Sequence, residues 1–272
     1  MYRRIIVAVG DYPQLDTPVA YAIALAAHTD AELWLLRVLT VPLIFGAPDM
    51  VTCAPLAMEH VMEAHAHVLA CAVDAAEEAG VSYSATSRWG AIPDILMRTA
   101  EEADCDVIVV GSSACPGWPW PRSRYLARHV VARARQPVLV VPQPLPALYS
   151  ASLWSRLLVV HDGSPGADRA VEYALTLADE ACLDACVLCL GIRWPSYKVP
   201  SLRYITRAST SPWGGISTVL ETAAERRCDV IVLGTDRGLS WQRLWCGPIA
   251  KTLIATTDLP VLVVNRFTAF RC

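Results

Sequence analysis

The sequence predicts an α/β fold of two tandem, open, five-stranded parallel-sheet domains, and three observations carry that prediction. The run "CDVIVVG" from Cys105 returns as "CDVIVLG" from Cys228, and 228 − 105 is 123. Gly111 and Gly234 are separated by the same 123 residues, as are Pro137 and Pro260 at the head of two identical "PVLVV" segments. At the front of each half, "RRIIVAVGD" aligns with "SRLLVVHDG", which sets Arg4 on Arg156 at an offset of 152. "AELWLLRV" from Ala31 aligns with "LDACVLCL" from Leu183 at that same offset. The second half is therefore short by 152 − 123, or 29 residues, between its second and third strands.

Short β-branched runs alternate with longer helical stretches, the pattern of βαβ units around a parallel sheet. In the first half the expected elements are strand 4–9, helix 17–29, strand 32–39, helix 57–79, strand 82–88, helix 92–103, strand 106–111, helix 123–134 and strand 137–141. The second half repeats them as strand 156–161, helix 166–181, strand 185–191, strand 202–208, helix 215–226, strand 229–234, helix 247–256 and strand 260–264. The 29 missing residues correspond to the helix at 57–79 with its entry loop. "WPSYKVPS", Trp194 to Ser201, must then cross over alone, with two prolines that disfavour helix. The sheet face stripped of that helix needs cover from the linker, the first half or a second chain, since a bare apolar face is a large exposed patch. Proline-rich "PQPLPALYSASLWS" marks the boundary. The expected division is a first domain at 1–142, a linker at 143–155 and a shortened second domain at 156–266.

Charge is nearly balanced, 23 Lys+Arg against 26 Asp+Glu, so no electrostatic footprint for nucleic acid is present. Mean hydropathy is high at +0.36. The longest apolar stretches, such as "VAYAIALAA" from Val19, still fall short of the ~20 residues of a spanning helix, so no membrane role is expected. The opening "MYRRIIVAVGD" carries only a strand-length apolar run, which points to the cytoplasm rather than export. Ten cysteines in such a chain read as reduced, buried thiols. Cys182, Cys186 and Cys189 have a ligand-like spacing, but the odd offset of the last two along a strand sends them to opposite faces. Cys105 and Cys228 read as small core residues at strand entries.

Ligands of open parallel sheets sit beyond the carboxyl ends of the strands, and phosphate favours a glycine turn leading into a helix amino terminus. Both halves supply the first glycine, Gly111 and Gly234. With "LLVVHDGSPGADRAVEYALTLA", "CDVIVLGT" and "DLPVLVV" in that order, the chain resembles a tandem pair of universal stress protein domains with degenerate ATP-binding loops, which are Rossmann-like. The resemblance covers nearly the whole chain. One branch of that family binds ATP through an aspartate after the first strand and a loop of the form G-x2-G-x9-G-[ST]. In the second half Asp162 matches the aspartate, Gly234 the first glycine and Gly247 the third, since 247 − 234 is 13. The resemblance thus implies an adenine nucleotide, with Mg as a companion ion, near Asp162, Gly163, Leu190, Gly234, Thr235, Arg237, Gly238, Gly247, Pro248 and Ile249.

Two positions depart from the pattern. Arg237 stands at the middle glycine, although Gly238 follows, and Pro248 stands at the serine or threonine, where it removes a hydroxyl and a backbone donor. Proline is nonetheless tolerated in a helix's first turn, and Arg237 or Arg243 can bring charge to a phosphate. The first half departs further: Gly10 replaces the aspartate, Ala114 the middle glycine, and Arg124 with Tyr125 the final pair. In place of a phosphate loop it has "CPGWPWP", Cys115 to Pro121, which reads either as a cover over an empty pocket or as an aromatic partner surface.

His60, Glu63 and His67 share a helical face, a ligand-like spacing that also suits an ordinary solvated face. No nucleophile elbow and no P-loop are present, and no catalytic residues are expected. The readings are a non-catalytic stress or signalling protein binding adenine nucleotide in its second half only, a slow ATP hydrolase, and a ligand-free scaffold acting through protein contacts. The resemblance further implies pairing of the two "PVLVV" strands, making one chain an intramolecular pseudo-dimer, and association of chains into a homodimer.

Overall fold

The computed structural model describes residues 2–10, 17–39, 54–112, 122–142, 154–190, 203–207, 212–236, 248–265 and 268. Within them are ten strands and seven helices of a mixed α/β, mostly parallel architecture. The chain forms two compact units that meet in sequence at Cys105 and Asp106. This division differs from that of the repeat, because β4 and β5 of the first half cluster with the second half.

The unit Tyr2–Cys105 holds β1 (Arg4–Ala8), α1 (Thr17–Thr29), β2 (Glu32–Leu39), α2 (Ala54–Glu78), β3 (Tyr83–Trp89) and α3 (Ile92–Glu102). Its strands run parallel in the order β3-β2-β1. β1 and β2 are nearly continuous runs of Ile, Leu and Val, and Ile5, Ile6, Val7, Leu33, Leu35 and Leu36 are all inaccessible to solvent. Removing one such side chain from water contributes roughly 1.5–3 kcal/mol.

The unit Asp106–Cys272 holds β4 (Val107–Gly111), α4 (Arg122–Arg133), β5 (Val138–Val141), β6 (Arg156–His161), α5 (Pro165–Ala181), β7 (Asp184–Leu190), β8 (Arg203–Arg207), α6 (Pro212–Arg226), β9 (Val230–Thr235), α7 (Pro248–Thr256) and β10 (Val261–Asn265). Its strand order is β4-β5-β10-β9-β6-β7-β8. The β4–β5, β10–β9, β9–β6, β6–β7 and β7–β8 ladders are parallel, and β5 runs antiparallel to β10, where Val261 faces Val140 and Val263 faces Val138. The two "PVLVV" segments therefore lie side by side with opposite direction. Asn265, buried at the end of β10, donates from Nδ2 to the carbonyls of Ala134 at 2.6 Å and Arg135 at 3.3 Å.

β7 and β8 are joined by residues 191–202, twelve positions, against the 43 positions between β2 and β3 that contain α2. The deletion thus falls on α2, as the repeat arithmetic requires. β8 has no fully buried residue, with Arg203 and Thr206 exposed and Tyr204, Ile205 and Arg207 half-buried, and its Arg207 reaches Glu225 of α6 at 2.5 Å. Residues 143–153, most of the linker expected as one possible cover for the stripped face, lie outside the described residues, as does the crossover 191–202. No helix among the described residues is long and apolar enough to cross a membrane.

Candidate functional site

In the order β8-β7-β6-β9-β10, the path of the chain reverses between β6 and β9, which is where a parallel sheet leaves a crevice beyond its carboxyl ends. Asp162 and Gly163 follow β6, Leu190 ends β7, and Gly234 and Thr235 end β9. The ladders β6–β7 and β6–β9 bring these five residues to one edge of three neighbouring strands. Pro248 and Ile249 are the first two residues of α7. Arg237, Gly238 and Gly247 lie outside the described residues.

Local geometry after β6 is fixed by short bonds within "HDGSPG". Gly163 has φ 83°, the left-handed region that glycine enters without a Cβ penalty. Asp162 is exposed, and its Oδ1 accepts the Ser164 N–H at 3.0 Å. Ser164 caps α5, its Oγ accepting from the Ala167 N–H at 3.2 Å, and Pro165 fills the first helical position. One Asp162 oxygen is committed to the turn, and the carboxylate remains open to solvent at the crevice.

The two glycines at this edge have a packing reason that the sequence pattern concealed. A Cβ on Gly234 would lie 1.9 Å from the Gly166 carbonyl oxygen, and one on Gly166 would lie 2.6 Å from the Thr235 carbonyl carbon. The first turn of α5 thus lies backbone to backbone against the end of β9. Gly234 is required by that approach whether or not a phosphate binds. The signal available in the sequence was the pairing of "SPG" with "VLGT".

His161 is a second residue that motif reading passed over. It closes β6, is 1% exposed, accepts the Gly163 N–H at Nδ1 (3.3 Å) and faces Asp168 Oδ1 from Nε2 at 3.0 Å. Its only sequence signal is a polar residue ending the run "LLVVH".

The corresponding place in the first half is built otherwise. Arg37, 3% exposed on β2, donates from one terminal nitrogen to the carbonyls of Val9 at 2.9 Å and Gly10 at 2.5 Å, and from Nε to His65 Nδ1 of α2 at 2.8 Å. A guanidinium here binds the backbone after β1, where the second half presents Asp162. Ala114 and the "GWPWP" segment lie outside the described residues, and Arg124 and Tyr125 fall inside α4.

Of the ligand-like trio on α2, Glu63 and His67 are exposed, and His67 lies 3.9 Å from the Cys71 sulfur; the His60 side chain is outside the described set. Among the described residues no group of three His, Cys, Asp or Glu is placed to hold a metal. Cys186 on β7 and Cys228 just before β9, both buried, share a hydrogen bond that draws the Cys186 thiol below its usual value and pushes Cys228 up. Both are free thiols.

A family model for the universal stress protein family matches residues 1–142, more than half of the chain. The chain belongs to the universal stress protein family. A universal stress protein from Archaeoglobus fulgidus DSM 4304 is similar along its length: 16% identity, TM-score 0.71, covering 97% of this chain and 96% of that one. A protein of unknown function from Pseudomonas aeruginosa PAO1 shares 17% identity at TM-score 0.59, covering 97% and 92%. At these identities the likeness establishes the fold. No curated protein sequence matches significantly. As a universal stress protein, the chain carries the family's Rossmann-like architecture twice in sequence, with unlike residues after β1 and β6.

Proposed function

We propose that this universal stress protein is a non-catalytic stress-response or signalling protein that binds an adenine nucleotide, ATP with Mg foremost, through its second repeat alone. The observation that carries the reading is the exposed Asp162 carboxylate, held by its Asx turn at the crevice between β6 and β9. The start of α7 at Pro248 adds a helix amino terminus suited to phosphate. Thr235, Leu190 and Gly163 border the same edge, and the proposed site is completed by Arg237, Gly238, Gly247 and Ile249, which lie between β9 and the first turn of α7 in the sequence. The functional division follows the repeat, 1–142 and 156–266 joined by 143–155. The protein acts in the cytoplasm, the β5–β10 ladder makes each chain a pseudo-dimer, and chains associate further as a homodimer.

Denaturing the purified protein and chromatographing the supernatant tests occupancy directly: released adenine nucleotide supports the reading. ATP turnover above a buffer blank, with Mg²⁺ or Mn²⁺, would replace it with a slow hydrolase. Light scattering that reports only monomer across micromolar concentrations would remove the homodimer.

A further inference from the structure

We propose that His161 is the positioning residue of the turn that presents Asp162, and that protonation of its Nδ1 releases the turn and weakens nucleotide binding. The inference rests on the nucleotide reading of this site. In the structure the Gly163 N–H points at Nδ1 (3.3 Å) and Nε2 faces Asp168 Oδ1 (3.0 Å). One ring nitrogen must therefore accept while the other carries the proton, which defines a neutral imidazole with its hydrogen on Nε2. The ring is buried, so water cannot replace either partner. Gly163 is held by His161 and Ser164 by Asp162, so the ring and the carboxylate fix consecutive amides of one turn.

A second proton must go to Nδ1. It would then oppose the Gly163 N–H, donor against donor, and the bond that holds this left-handed glycine would be lost. The buried ring faces the Asp168 carboxylate of α5. Among the described residues, the other ionisable groups about the ring are Asp162, exposed on the turn itself, and Cys189, its ladder partner on β7. Asp236, exposed, follows β9, and no residue of β9 is ionisable. On α5, Arg169 is engaged with Glu172 and the Thr268 carbonyl. The switch therefore belongs to His161, with Asp168 as its partner.

Two variants separate the two halves of the ring. His161→Asn keeps an acceptor near the Nδ1 position and gives up the bond to Asp168. His161→Gln keeps a donor near Nε2 and gives up the acceptor for Gly163. ATP affinity measured by calorimetry should fall about fivefold to tenfold in the wild type between roughly pH 8 and pH 5.5, the loss of one hydrogen bond. His161→Asn should lose the extra pH dependence, whatever its affinity at the higher pH. His161→Gln should be weak at both. Protonation of ATP itself is common to all three chains and cancels in the ratios. Equal pH dependence in wild type and His161→Asn would overturn the proposal. In the absence of ligand, the Gly163 amide resonance should titrate with the His161 ring, and an unmoved resonance would also overturn it. If no chain binds ATP at the higher pH, the nucleotide reading fails while the Gly163 resonance still decides whether the turn is gated.

Discussion

Arg4 and Arg156 stand 152 residues apart and make the same bonds at the amino ends of β1 and β6. Arg4 Nε meets Glu32 at 3.1 Å while a terminal nitrogen meets the Ala103 carbonyl at 3.0 Å. Arg156 does likewise with Asp184 at 3.2 Å and the Arg226 carbonyl at 2.6 Å. The left-handed residues that end helices also recur, Asp30 with Cys182 and Asp104 with Arg227, all at φ of 52° to 54°. So do the buried threonines, Thr99 and Thr222, each donating to the carbonyl four residues earlier. At the opposite edge, among the described residues, Gly111 and Gly234 recur but the side chains after β1 and β6 differ. Arg37 and Cys189 are equivalent by the same offset, as are Val9 with His161 and Gly10 with Asp162. Bonds that close the bottom of the sheet serve folding in both repeats and are kept in both. On the proposed reading, residues at the top of the second repeat serve a ligand and their counterparts in the first repeat do not, which accounts for the difference between the two edges.

The comparison is best broken where the two edges have structural reasons of their own. Gly234→Ala places a methyl against the Gly166 carbonyl and should cost about 3 kcal/mol or more. It should lower the thermal midpoint whether or not nucleotide is present, and a variant of unchanged stability would return Gly234 to a purely ligand-related role. Arg37→Met should cost roughly 2–3 kcal/mol by leaving the Val9 and Gly10 carbonyls without their charged donor. Denaturant titration reads that loss, and ATP affinity should not change. Weakened ATP binding would instead make the first half part of the site.

Two smaller effects sharpen the contrast. Asn265→Ala removes the bonds to Ala134 and Arg135 and should destabilise by about 1–2 kcal/mol in chemical denaturation. At the repeated lower edge, burial pushes the Glu32 carboxyl up, but hydrogen bonds from Ser84 and Arg4 help hold it below its usual value. A carboxyl lowered in the folded state adds stability above its unfolded pKa, which is lost as pH falls through the folded one. Glu32→Gln should therefore cost under about 1 kcal/mol at neutral pH, given screening of this partly exposed pair, and nothing in strong acid.

The sequence made the sheets legible because each strand is an apolar run with a counterpart at a fixed offset, and two independent copies constrain one pattern. Even the missing helix followed from subtraction, and α2 begins only three residues before its expected start. What stayed hidden depends on contacts between distant elements. Gly166 against Gly234, Arg37 over Gly10, and His161 beside Asp168 each join parts of the chain that no short motif spans. The repeat also could not reveal that compactness divides at Cys105 and Asp106, since the β5–β10 ladder ties the last strand of one half to the last strand of the other.

The central claim is that the upper edge of the second repeat, and not the first, holds the nucleotide. Calorimetric titration of ATP with Mg²⁺ into the full chain, beside Asp162→Ala and Arg37→Met, tests it most directly. The account predicts about one equivalent bound by wild type and Arg37→Met, with binding abolished in Asp162→Ala. Heat that persists in Asp162→Ala, or that disappears in a folded Arg37→Met chain, would contradict it.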